Sequence, residues 1–552
     1  MGEVCRTGAI GVQQGCEQRE LRAGCGSRWH DRKDVVAAAA RRSALPLSVA
    51  SILAETAARR PNHTALVLGD LRLPYAAVWD QAKRYAAVFR AQGIGPGDRV
   101  SILIPNTPHF VFAYYGAAAL GAVVVPVHAL LRAEEIEYVL KDSGSKLFVC
   151  AGPLLGEGAK GAELAGVPLF TVLSGDAEAP RLDELAQQAE PIATYEQAEP
   201  DDVAVILYTS GTTGKPKGAM LTHLNIVMNV DTSVISSFDT SPDDVVLGCL
   251  PLFHSFGQTV SLNVTFRAGG TLVLMPRFDG PGALALMLKE KVTNFIAVPT
   301  MYIALLDALR DADSDEKPPL RLAISGGASL PLAVLEQFEQ VFQIPVYEGY
   351  GLTETSPVAT FNQKGWPTKP GTVGRPIWGV DAEIARPEIE ERIEFLPTGE
   401  LGEIVIRGHN IMKGYLNRPE ATAEAIVDRW FRTGDLGTKD EDGYITIVDR
   451  KKDMVLRGGF NVYPREVEEV LMRHPDVAQV AVIAVPHPTH GEEVCAVIVP
   501  TPGASPDKEQ IIGWAKTNLA GHKYPRIIEF VDSFPLGPSG KVLKRELKTR
   551  FN

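Results

Sequence analysis

The chain has 552 residues, 45% of them hydrophobic, and a formal net charge of −12 at pH 7. That length exceeds the usual single domain, and the apolar content supplies a large core. The mild acidic balance comes without a long basic stripe, which excludes a dedicated nucleic-acid binder, and none of the six cysteines belongs to a CxxC pair, which speaks against a disulfide framework or a zinc site.

Residues 1–44 carry mixed charge and three cysteines but no apolar h-region, so they read as a disordered or mis-assigned extension outside the fold, not as a secretory signal. "RVSILIPN" (99–106) is the first clearly buried strand. "FVFAYYGAAALGAVVVPV" (110–127) has the length of a short membrane span. Gly121 and Pro126 punctuate it and Val123–Val125 are β-branched, which divides it into a buried helix and a core strand. "DVAVILYT" (202–209), "DVVLGCLP" (244–251), "GTLVLMP" (270–276), "NFIAVPT" (294–300) and "RLAISGG" (321–327) read as further buried strands, and "LPLAVLEQFEQVF" (330–342) as an amphipathic helix. Continuous apolar strands alternating with helices predict an α/β fold of largely parallel, helix-covered sheets. After residue 400, "GEIVIRG" and "DGYITIVDR" alternate as half-exposed strands do. Beyond "DRKKD" (449–453) comes a tail of helices and strands long enough to be a domain.

One segment is too polar for a core and too particular for a linker. "YTSGTTGKPKG" (208–218) follows the strand 202–207 directly, the place where open α/β sheets bind ligands. Its glycines permit a backbone curl with inward N–H groups, and its hydroxyls and lysines complete an anion cradle. The Walker spacing GxxxxGK[ST] is not met, since Pro216 stands where a magnesium-binding hydroxyl is needed. No GxSxG surrounds Ser210, because position 208 is Tyr, which disfavours a serine hydrolase.

In order after it come "PLFHSFG" (251–257), "SGGASLP" (325–331), "GYGLTETSP" (349–357), "GELGEIVIRG" (399–408), "WFRTGDLG" (430–437), "DGYITIVDRKKDMVLRGGFNVYPREVEEVL" (442–471) and "PSGKVLKREL" (538–547). This ordered set, spanning residues from about 45 to 552, resembles the AMP-forming acyl-CoA synthetase superfamily, which also holds peptide-synthetase adenylation domains and firefly luciferase. The resemblance implies a large N-terminal adenylate-forming domain (45–449), a hinge (450–453) at Lys452, and a small mobile α+β C-terminal domain (454–552). It implies ATP and Mg²⁺ as cofactors and coenzyme A as co-substrate. The carboxylate attacks the α-phosphate to give acyl-AMP and pyrophosphate, and a thiol then displaces AMP. Bringing two anions together calls for positioning and charge neutralisation.

Residue by residue, the resemblance gives Lys541 as the electrostatic catalyst of adenylation, with Thr353, Glu354 and His254 beside it. Glu354 with Thr209 would hold Mg²⁺, a hard cation that favours oxygen. ATP or AMP would be bound by Thr209, Ser210, Gly211, Thr212, Thr213, Gly214, Lys217, Gly327, Ala328, Glu348, Gly349, Tyr350, Asp435 and Arg450. Tyr350 is expected to stack on adenine, and Asp435 and Arg450 to reach the ribose. Gly458 and Gly459 would pass the pantetheine arm of CoA, after the tail rotates, and His254 would gate the acyl pocket or guide the carboxylate. Phe256, Gln258, Val298 and Thr300 are the acyl-pocket candidates, and small residues such as Gly327 and Ala328 leave room for an apolar slot. Relatives that activate amino acids carry an aspartate where His254 stands, so the expected acid is a medium- or long-chain fatty acid. A cinnamate-type aryl acid, or transfer to a carrier protein, is the alternative. Only small-molecule partners are expected, with no nucleic acid, no transmembrane segment and a cytoplasmic location; peripheral membrane contact and a homodimer stay open.

Overall fold

The strand "VAVILYT" shows how the fold is made. Its apolar residues have no polar alternation, and Val203–Thr209 lies inside a seven-stranded sheet, parallel to Val123–Pro126 on one side and antiparallel to Lys217–Thr222 on the other. In this computed structural model, residues 47–175, 179–209, 215–537 and 540–551 are described. The 1–44 extension and the Ser210–Gly214 part of the glycine–threonine segment lie outside them, as do Pro538 and Ser539.

The seven-stranded sheet continues through Arg99–Leu103, Leu147–Ala151 and Leu169–Val172, all parallel. A nine-stranded sheet forms the second layer, with Thr64–Leu68, Thr271–Leu274, Val245–Gly248, Asn294–Ala297, Leu322–Ser325 and Val346–Gly351 running parallel and antiparallel strands at its edges. Between the layers lies the helix Pro108–Ala119, every residue of which is buried except His109. Pro108 opens that helix, where its missing N–H costs nothing. Gly116 lets the helix Tyr75–Ala91 approach, for a Cβ there would stand 2.9 Å from the Ala82 carbonyl oxygen. Gly121 turns the chain into Val123–Pro126, so the run 110–127 divides into helix and strand as its punctuation predicts. No helix among the described residues is long and apolar enough to cross a membrane.

A five-stranded antiparallel sheet follows, built on Gly402–Gly408 and Trp430–Lys439, with Ile445–Arg450 paired to the latter. The last hundred residues carry a small α+β domain. The long hairpin Val477–His487/Gly491–Pro500 is flanked by helices Pro464–Leu471 and Lys508–Asn518, and its core includes Val467, Leu471, Val482, Ile498, Ile511 and Ile528. The described residues form one compact unit.

The structure departs from the sequence expectation around "PLFHSFG". The apolar run 244–251 is a strand only over Val245–Gly248, and Phe256–Asn263 is a π-helix, as is Ser233–Ser237. Hydrogen bonds from i to i+5 follow neither helical nor strand periodicity, so apolar spacing gives them no signature.

Candidate active site

Carboxyl ends of parallel strands converge where the two large sheets meet, and each ends in a residue type chosen for close approach. Leu322–Ser325 runs into Gly326 and Gly327. Val346–Gly351 ends at a glycine whose Cβ would stand 1.7 Å from the Pro357 carbonyl oxygen, so only glycine lets "LTETSP" fold back over the strand. Thr353–Thr355 then forms a single 3₁₀ turn that presents Thr353 and Glu354 to a cavity of about 1910 Å³.

Thr209, Lys217, Thr353 and Glu354 share one end of that cavity. The Oε1 atom of Glu354 accepts the Tyr415 hydroxyl at 2.8 Å and the Thr209 hydroxyl at 3.4 Å. The Lys217 ammonium lies 5.1 Å from the centre of the Tyr415 ring, so one tyrosine ties a carboxylate to the cationic edge of the glycine–threonine segment. These oxygens are the hard donors that fit Mg²⁺.

A second group surrounds Asp435. The strand register sets Asp435 opposite Arg450, whose Nε is 3.3 Å from Oδ1, while the Tyr350 hydroxyl donates to Oδ2 at 2.5 Å. Burial raises the Asp435 carboxyl above its ordinary range, and the Arg450 charge opposes the rise. Beneath it, Glu403 and Arg432 form an ion pair at 2.6 Å with side chains 4% and 8% exposed. Glu403 also accepts the Gly434 N–H at 3.0 Å, and the Thr433 hydroxyl accepts the Asp435 N–H at 3.0 Å, so this pair holds the backbone that aims Asp435.

Lys541 enters from the tail. The Gly540 carbonyl accepts the Thr300 hydroxyl at 3.1 Å, and Gly540, at φ +76°, lies so close to Val298 that a Cβ would come within 3.0 Å of it. This docking lays the Lys541 side chain along Gly327, where a Cβ would meet Cε at 3.3 Å and Nζ at 3.9 Å. The ammonium is pushed down to about 8, first by burial and then by Arg450, with Asp435 pulling the other way. His254 lines the same cavity; burial, with Lys541 and His128, pushes it down to about 3. Its Nδ1 accepts the Phe256 N–H at 3.2 Å, which leaves the proton of the neutral ring on Nε2.

The expected residues do not all meet. Phe256 and Gly349 line the main cavity, while Val298, Thr300 and Ala328 line a neighbouring cleft of about 1350 Å³ that meets it at Gly327, Tyr350 and Lys541. Glu348, expected at the nucleotide, is 2% exposed and accepts the Leu330 N–H at 3.1 Å; burial raises its carboxyl to about 7, and it lines neither cavity. Gln258 is likewise turned into the protein, its Nε2 toward the Leu252 carbonyl at 3.4 Å. Gly458 and Gly459, both at positive φ in the turn between Val455–Arg457 and Phe460–Val462, line neither cavity. Lys452 borders both. Tyr415, Glu403 and Arg432 are contributions that sequence reasoning misses; "GYLN" offers only a turn, and a buried ion pair between distant strands leaves no local spacing.

Sequence profiles of the AMP-binding enzyme family and of the AMP-binding enzyme C-terminal domain match residues 53–416 and 466–541. The chain is 35% identical over 535 residues to a long-chain-fatty-acid–CoA ligase of Bacillus subtilis, covering 91% of this chain and 95% of that one. It is 38% identical over 495 residues to a feruloyl-CoA synthase of Amycolatopsis, covering 89% and 96%. Among solved structures, ATP-bound MatB from Rhodopseudomonas palustris superposes with a TM-score of 0.84 at 34% identity, covering 92% of this chain and 99% of that one.

The Glu403–Arg432 pair gives a prediction separate from any activity. Glu403→Ala leaves a buried guanidinium without its carboxylate and should destabilise the protein by about 3–5 kcal/mol in denaturant unfolding. Arg450→Ala, removing a half-exposed partner, should cost less than about 1 kcal/mol. Equal effects would contradict the positioning role given to Glu403.

Proposed function

The chain belongs to the AMP-binding enzyme family and is an adenylate-forming CoA ligase that uses ATP and coenzyme A, and from that premise we propose that its acid is a medium- or long-chain fatty acid. The observation that carries the reading is the apolar wall of Phe238, Phe256, Ile324, Val358 and Phe361 in the cavity into which the tail brings Lys541 beside Thr353, Glu354, Asp435 and His254.

Adenylation needs a cation between two anions, the substrate carboxylate and the α-phosphate. Lys541 would fill that position. Its ammonium, partly desolvated, would interact with developing negative charge more strongly than a fully solvated lysine. Thr353 would contact the α-phosphate, and the Nε2–H of His254 would donate to the carboxylate from the other side. Asp435 is set to accept the two ribose hydroxyls, for which the Tyr350 hydroxyl now substitutes. Opening that bond would free the Tyr350 ring to cover adenine. Glu354 with Thr209, oriented by Tyr415, would hold Mg²⁺, which when bound neutralises phosphate charge.

Thiolation would need a different closure. Gly458 and Gly459 lie outside both cavities while Lys541 occupies the cleft, so the tail would turn about Lys452 to exchange them. For the acid, Phe238, Phe256, Ile324, Val358 and Phe361 supply an apolar wall, as an alkyl tail requires. The same three aromatic rings favour an aryl acid as the second reading, in keeping with the feruloyl-CoA synthase relative. The name of the Bacillus subtilis relative supports the first. Pyrophosphate release measured across fatty and hydroxycinnamic acids, with and without CoA, decides between them; release independent of every acid would refute both.

Lys541→Ala should lower adenylation by roughly 10²–10³-fold while sparing thioester formation from supplied acyl-AMP; equal loss in both half-reactions would reject its role. A lysine pushed down to about 8 is charged below that pH and loses its charge above it. In the free enzyme, kcat/KM for ATP–pyrophosphate exchange should therefore fall as pH rises past about 8, and a flat profile to pH 10 would contradict the assignment. Tyr415→Phe removes one hydrogen bond to Glu354, worth about 1 kcal/mol, and should raise the half-saturating Mg²⁺ concentration about fivefold. An unchanged magnesium titration would show that Tyr415 does not orient Glu354.

A further inference from the structure

Two spaces share a wall. Phe238 and Ile324 line the main cavity, and both also line a small void of about 10 Å³, enough for roughly one water. The void is also bounded by Val246, Val264 and Leu322, by Ser241, Asp244 and Asn294, and by the hydroxyls of Thr240 and Thr265, which have no hydrogen-bond partner among the described residues.

The wall is firmly held. Phe238 is 2% exposed, and its N–H donates to the Ser233 carbonyl at 2.9 Å, closing the π-helix Ser233–Ser237. Its ring packs edge-on against Phe361, with centroids 4.6 Å apart. A π-helix spaces its residues unlike the α-helix before it, and here that spacing ends the turn with the ring across the void.

The distance from the reacting end follows from the strand. Lys541 lies against Gly327, and Ile324 is three residues back along Leu322–Ser325 and its extension, which at ~3.3 Å per residue is about 10 Å. An acyl chain with its carboxylate at Lys541 and its tail following this strand meets Phe238 after that length.

Resting on the reading of an apolar acid as substrate, we infer that Phe238, backed by Ile324, is the floor of the acyl slot and limits straight-chain acids to medium length. Removing the ring joins the void to the slot and admits longer ones. Phe238 touches only the far end of the acyl group, so its effect falls on the choice of acid and not on ATP.

The test measures pyrophosphate release by the full chain along two homologous series: hexanoate, octanoate, dodecanoate and palmitate, and benzoate, phenylpropanoate and phenylbutanoate. Wild-type kcat/KM should peak near octanoate and fall roughly tenfold or more at palmitate. Phe238→Ala should raise kcat/KM for the longest acids about tenfold with KM for ATP unchanged. Phe238→Leu, which keeps most of the buried volume, should move the optimum the same way by less, and serves if the alanine variant does not fold. Palmitate used as well as octanoate by the wild type, or a profile unmoved in a folded variant that still turns over fatty acids, overturns the floor and leaves the fatty-acid reading standing. If the wild type activates only the phenyl acids and the variants move that series to longer members, the fatty-acid reading fails and the floor stands.

Discussion

A lysine ammonium buried without a close carboxylate is the constraint around which this molecule is arranged. Asp435, the acid whose charge acts on Lys541, is itself engaged by Arg450 and Tyr350. Burial and the Arg450 charge both oppose protonation of the lysine, yet the tail lays it against Gly327. Such a position is costly in the absence of an anion and favourable in the presence of two. Much of the architecture follows from making that position reachable. The strand ends are glycine, so that backbone, not side chain, faces the ammonium. Gly540 is docked by the Thr300 hydrogen bond and the Val298 approach, while nearer the start of the tail Arg465 donates to the Ile447 carbonyl at 2.6 Å and to Asp449 at 3.0 Å.

The rest of the site is built on rigid parts. Asp435 and Arg450 face each other across paired strands, and the Glu403–Arg432 pair fixes the turn between them from below. Glu354 is held by a turn that only glycine at 351 permits, and by the hydroxyls of Tyr415 and Thr209. The division is physical: the groups proposed to face the nucleotide sit on sheet ends, and the one that would need to leave is carried by the small C-terminal domain.

Much of this was legible in the sequence, for reasons that differ by element. Continuous apolar strands such as 203–209 and 322–325 announce themselves because a strand buried on both faces has no polar alternation to confuse. Gly121 and Pro126 divide 110–127 correctly because punctuation acts locally. Motif spacing brought Thr353, Glu354, Tyr350, Asp435, Arg450 and Lys541 to one cavity. The failures have a common cause. Glu348 adjoins the motif residues, but its carboxylate is buried on the Leu330 N–H, a partner that only the folded chain brings to it. Gln258 lies in a π-helix whose side-chain directions no periodicity rule supplies. Tyr415, Glu403 and Phe238 act through partners more than thirty-five residues away, or, for Glu403, on a facing strand, and such pairings exist only after the sheets have closed.

The two halves of the site then impose opposite demands on the same tail. With the cleft empty of anions, raising the pH through about 8 removes the lysine charge and with it the penalty for burying it, so the docked arrangement grows more favourable as the ammonium is lost. At neutral pH the penalty stands and is offset only by negative charge arriving from outside. A carboxylate and a triphosphate would therefore close the cleft by the same interaction through which they would react. On the proposed reading, departure of pyrophosphate would take away part of that charge and loosen the hold on Lys541 when a different face of the tail would be required. Such an alternation would need no separate trigger, because the change in substrate charge across the first half-reaction would itself shift the balance between the two arrangements.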